Sequence, residues 1–118
     1  MALKITTKSI GNVTVVYCNG RIVFGEEAAS LREKVKTLLP QSHNVVLNLG
    51  GVSYIDSGGL GTLVGLYTSA RAAGGDIKLA NLTQRVSDQL QITKLVTIFE
   101  SFDSEEKAVN AFSARASA

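Results

Sequence analysis

The feature that most constrains this chain is a repeated switch between two hydrophobic periods. Short β-branched runs that suit strands alternate with stretches whose apolar residues recur every three or four positions. Leu3–Thr7 and Val13–Asn19 read as strands joined by a Gly11-Asn12 turn, which predicts an opening antiparallel hairpin. Gly20 is expected to end that hairpin. From Glu26 to Leu39, the residues Ala28, Leu31, Val35, Leu38 and Leu39 mark one helical face, and Pro40 closes it. Asn44–Leu49 predicts a buried strand ended by Gly50-Gly51.

The second half repeats the pattern. Leu60, Leu63, Val64 and Tyr67 share a helix face that Gly74-Gly75 terminates. Asp76–Ala80 predicts a strand. Thr83–Gln91 predicts a helix with Leu82, Val86 and Leu90 facing inward, and Val96–Phe99 predicts a last strand. Asp103 is the expected cap of a final helix, with Glu106 reaching back to it and Ala108, Val109 and Phe112 on the buried side. The order β-β-α-β-α-β-α-β-α argues for one α/β domain with a mostly parallel sheet, helices packed against it and right-handed crossovers.

Composition narrows the function classes. With 118 residues, 45% of them hydrophobic, the chain can build one core without metals or disulfides. Its 12 basic and 10 acidic residues are scattered, so there is no nucleic-acid footprint. No window reaches the roughly 20 apolar residues of a membrane span, and Met1–Ile5 has no signal-like stretch, so the expected compartment is the cytoplasm. Cys18 is the only cysteine and lies in an apolar run, which suits a buried thiol. One cysteine and one histidine, His43, give no metal site, and no cofactor is expected.

The least ordinary segment is Tyr54 to Gly61, with Asp56-Ser57-Gly58-Gly59-Leu60-Gly61 at its centre. Asp56 or Ser57 can cap the helix that follows. Three glycines in its first turns together cost about 2 kcal/mol of helix propensity. Two compensations are open: close packing of the helix on the sheet, or a surface left bare for another molecule. A phosphate on Ser57 would meet free N–H groups and the positive helix end, with the Asp56 carboxylate opposing it.

Competing chemistries fare worse. Asp56-Ser57-Gly58-Gly59 is similar to a serine-protease nucleophile segment, but a triad needs His43 beside Ser57 and a further carboxylate. The glycines lack the Gly-Lys-Ser/Thr ending of a phosphate-binding loop and the spacing of a dinucleotide fingerprint. No catalytic residue is assigned. Arg71 and Lys78 are expected to be solvated, and Phe24 and Tyr54 are either exposed contacts or anchors.

The stretch Val45 to Gly61, with its Asp-Ser-x-Gly-Leu-Gly core, resembles the STAS domain of bacterial anti-sigma factor antagonists. The likeness runs from the opening hairpin through Gly74-Gly75 to Phe99 and implies a STAS-like domain over residues 3–112; the tail past the last apolar residue of the final helix, 113–118, is expected to fray. It implies partner switching: the unphosphorylated protein binds an anti-sigma factor, often itself a serine kinase. Phosphorylation at the position of Ser57 ends that binding, and a phosphatase restores it. The implied partner surface is Asp56, Ser57, Gly58, Gly59, Leu60 and Gly61. Gly58 stands where many members carry Ser or Thr, Asn48 where Asp is common, and Val23 where an acidic residue is frequent. A constitutive STAS scaffold in a signalling or transport assembly, without phospho-switching, is the alternative.

Overall fold

The computed structural model describes residues 3–117, with side chains through residue 112. The expected frayed tail, 113–118, lies outside the residues whose side chains are described. A five-stranded sheet has the sequential order β1 (Lys4–Ile10), β2 (Val13–Ile22), β3 (Asn44–Ile55), β4 (Asp76–Ala80) and β5 (Ser101–Phe102). β1 is antiparallel to β2, and all other neighbours are parallel. The helices are α1 (Glu26–Leu38), α2 (Ser57–Ala72), α3 (Gln84–Ile92) and α4 (Glu105–Ser117).

Strand alternation divides the core between the two sheet faces. Val45, Leu47 and Leu49 point into a cluster with Leu31 and Val35 of α1, Leu63 and Leu66 of α2, and Val86 and Leu90 of α3. Val46 points the other way, to Val13, Val15 and the α4 residues Ala108, Val109 and Phe112. Leu63 and Leu66 are almost wholly buried, and each such side chain contributes about 2 kcal/mol by leaving water. These residues hold α2 on the sheet despite its glycines.

The strands run further than the glycines suggested. Gly20 does not end β2: it sits at φ 127° beside a register shift, and the strand continues to Ile22. β3 likewise passes through Gly50-Gly51 to Ile55. A Cβ at Gly51 would displace the Asn19 side chain and stand 3.0 Å from the Cys18 carbonyl oxygen, a tight fit of β3 on β2.

Three expectations are corrected. Val96–Phe99 is not a strand: Leu95–Thr97 forms a 3₁₀ turn, Phe99 fills the core, and the last strand is Ser101–Phe102. Asp103 does not cap α4. The Ser104 hydroxyl accepts from the Lys107 N–H at 3.1 Å, while Asp103 pairs with the Lys107 ammonium at 3.0 Å. Lys78 is not solvated but fully buried. It lies in register with Val46, on the face that α4 covers. Its ammonium meets Asp76 and Glu100 and stands 4.9 Å from the Phe112 ring centre.

Candidate functional site

β3 delivers its last residue, Ile55, to the core and turns directly into α2. Asp56 sits between them in extended backbone and caps the helix, its Oδ1 accepting from the Gly59 N–H at 2.8 Å. The same carboxylate accepts from the Phe24 N–H with both oxygens at 3.1 Å. One side chain therefore ties the β2–α1 loop to the start of α2. These bonds, from Gly59 first and Phe24 second, hold the Asp56 carboxyl below its ordinary pKa, against a smaller opposing effect of burial.

The glycines fall into two groups by what surrounds them. At Gly59, a Cβ would overlap the Ile22 carbonyl oxygen, which itself accepts from the Asp56 N–H. Gly59 is thus a packing glycine. A Cβ on Gly58 would come within 2.6 Å of the Phe24 Cβ. Gly61 and Gly65, by contrast, have open space where a side chain would stand. They face a groove of about 450 Å³ between α1 and α2, lined by Phe24, Ala28, Arg32, Gly58 and Thr62. Phe24 is 81% exposed at the mouth of this groove, an unusual position for a large aromatic. Gly25 follows it at φ 110°, a backbone conformation that makes the turn into α1.

Of the expected surface residues, Ser57 and Gly61 are exposed and Gly58 is partly exposed. Gly59 and Leu60 are buried, so neither is part of the exposed surface. Phe24 is the exposed contact that the sequence left undecided. Tyr54 is half-buried, with the Arg85 guanidinium 4.7 Å from its ring centre. Gln89, which sequence reasoning missed, bonds the backbone of Ile55. No sequence period marks a side-chain amide for such a task.

Nucleophilic catalysis lacks its geometry. His43 precedes the first residue of β3, whereas Ser57 follows the last, so twelve strand residues separate them, on the order of 30 Å or more. His43 Nδ1 is engaged with the Leu39 carbonyl at 2.8 Å. The Cys18 thiol is buried in the core, which pushes its pKa up to about 12 and leaves it a poor nucleophile. Among the described residues, no group of three or more His, Cys, Asp or Glu is placed to hold a metal. No helix among them is long and apolar enough to cross a membrane.

Comparison with known proteins gives a consistent set of likenesses. A model of the STAS domain matches residues 4–108. The anti-sigma-B factor antagonist of Bacillus subtilis is 40% identical over 73 residues, spanning 62% of this chain and 67% of that protein. A Thermotoga maritima protein provisionally assigned as an anti-sigma factor antagonist superposes with a TM-score of 0.84 at 25% identity, over 91% of this chain and 92% of that one. The Bacillus antagonist SpoIIAA shares the fold in both its unphosphorylated and phosphorylated forms, with TM-scores of 0.72 and 0.70 at 18% and 19% identity. The two forms cover 92% and 94% of this chain, and this chain covers 97% and 99% of them.

Proposed function

The chain belongs to the STAS domain family, and from that premise we propose that it is an anti-sigma factor antagonist whose binding is switched off by phosphorylation of Ser57. The observation that carries this reading is the exposed Ser57 at the first turn of α2, beside the bare groove and the projecting Phe24. The protein works in the cytoplasm as a binding module rather than an enzyme. Its partners are an anti-sigma factor that is also a serine kinase, and a phosphatase that resets the switch.

The physical logic needs no refolding. In the unphosphorylated state, Ser57, Gly58 and Gly61 offer a low surface on which a partner can approach the backbone of α2, with Phe24 as an apolar anchor. Asp56 holds both parts of that surface in register through its bonds to Phe24 and Gly59. A phosphate on Ser57 adds about −1.5 to −2 charges. The helix start tolerates it, while the neighbouring Asp56 carboxylate keeps it from being tightly captured. It therefore projects into the docking surface and expels an apolar or acidic partner.

Phosphosite mapping tests the assignment. The protein recovered from its own cells under conditions that silence the sigma factor should carry phosphate on Ser57, and a Ser57→Ala variant should carry none. Equal phosphorylation of that variant at another residue would sink the reading. So would an unmodified protein whose co-purifying partners are transport components without a kinase, the result expected of a constitutive scaffold.

A further inference from the structure

β3 outruns the strand beside it. β4 pairs with β3 only over Asn44–Asn48, so the stretch to Ile55 keeps β2 on one edge and, among the described residues, has no strand on the other. Buried peptide groups in such an overhang need partners. Side chains from the α3 region supply them. The Thr83 hydroxyl donates to the Val52 carbonyl at 3.3 Å. Further along, the Gln89 amide engages Ile55 twice: the Ile55 N–H donates to Gln89 Oε1 at 3.2 Å, and Gln89 Nε2 donates to the Ile55 carbonyl. A primary amide carries a donor and an acceptor, as a peptide unit does, so it can stand in for the absent strand.

The position of this contact matters. Ile55 is the last residue of β3 and is fully buried. Asp56, the next residue, sends its N–H the other way, to the Ile22 carbonyl at 3.2 Å. The chain entering the Asp56–Ser57 turn is thus held from both edges, by β2 on one side and Gln89 on the other. Arg85, one helical turn before Gln89, covers the Tyr54 ring on the same strand end.

We infer that Gln89 is the positioning residue of the switch: its amide replaces a missing strand and sets the direction in which β3 presents Ser57 at the start of α2. The functional consequence rests on the reading of Ser57 as phosphoacceptor; the geometry does not. Loss of the contact loosens the capped turn without disturbing the centre of the sheet.

Amide hydrogen exchange by NMR, on the full chain and two variants, tests this. In Gln89→Ala, exchange at Gly59 should rise about tenfold, which corresponds to losing about 1.4 kcal/mol of local stability, while Val46 and Leu79 stay protected. In Gln89→Glu at neutral pH, the ionised carboxylate has no proton for the Ile55 carbonyl, so Gly59 should exchange as fast or faster. Acidifying that variant to about pH 4, where a carboxyl regains its proton, should restore protection relative to the wild type at the same pH. A merely space-filling Gln89 would let the acidified variant recover no further than Gln89→Ala, whereas hydrogen bonding to Ile55 should return it to wild-type protection. Wild-type exchange at Gly59 in Gln89→Ala, or a Gln89→Glu variant indifferent to pH, would overturn the inference. With the co-purified kinase, Gln89→Ala should lower kcat/KM for Ser57 severalfold, and an unchanged value would also count against it. If the wild-type Ser57 takes no phosphate, the phosphoacceptor reading fails, and the exchange data still decide the role of Gln89.

Discussion

The starts of α2 and α4 solve the same problem in opposite ways. Each must satisfy free N–H groups, and each does so with a short polar cap, Asp56 for α2 and Ser104 for α4. At α4 the next side chain is used against the protein's own sheet. Glu105 accepts from the Asn48 amide at 3.2 Å and bonds the Tyr17 hydroxyl. That bond, with some burial, pushes the tyrosine pKa up to about 12. Beyond it, α4 closes over Lys78. At α2 the cap is followed by Ser57 and two glycines, with Gly61 and Gly65 bare on the outer side. A helix start without such fittings is free to receive another molecule. This difference, rather than the glycine content alone, supports placing the proposed docking surface at the start of α2.

Two substitutions attack the closed parts and should have the largest effects. Gly59→Ala forces a methyl against the Ile22 carbonyl and should cost about 3 kcal/mol in urea denaturation. Lys78→Ala removes a fully buried chain and strips Asp76 and Glu100 of their buried cation, which should cost about 3 kcal/mol. Lys78→Met, which keeps the volume, should lose less. If Lys78→Ala were as stable as the wild type, α4 would not be the closed half of the comparison.

Asp56 gives an intermediate effect with a definite pH dependence. Its folded pKa is depressed, so its stabilising contribution is complete above the ordinary carboxylate value and is lost as pH falls through the lowered one. The stability gap between wild type and Asp56→Asn should therefore shrink on acidification from about pH 6 to about pH 2, followed by urea denaturation at each pH. A gap that widens with acid would refute the clasp. The smallest effect belongs to Gly61→Ala. The site has room for a methyl, and the helix should gain up to about 1 kcal/mol. A variant that is more stable yet binds its partner less tightly would mark Gly61 as open surface.

Much of this was legible in the sequence, for physical reasons that also explain the misses. α1 and α2 bury apolar faces with helical spacing, and β3 is β-branched, so their periods show. β5 has only two residues and carries no period at all. In Asp76-Ile77-Lys78-Leu79-Ala80, alternation puts Lys78 opposite Ile77 and Leu79, which reads as the wet side. Only the docking of α4 turns that side into core. Gln89 escaped notice because its task arises from where β4 stops, a tertiary fact. Within the site, the residues Asp56 to Gly61 were visible as a group, but which glycines pack and which stand open depended on Ile22 and Phe24, distant in sequence.

The central claim is that charge on Ser57 closes the surface at the start of α2. Calorimetric titration of the proposed anti-sigma factor partner, captured with the wild-type protein as bait, against wild type, Ser57→Ala and Ser57→Asp tests it most directly. Ser57→Ala should bind like the wild type, while Ser57→Asp should lose at least tenfold in affinity, about 1.4 kcal/mol. Equal affinity for all three, with their folds intact, would contradict it.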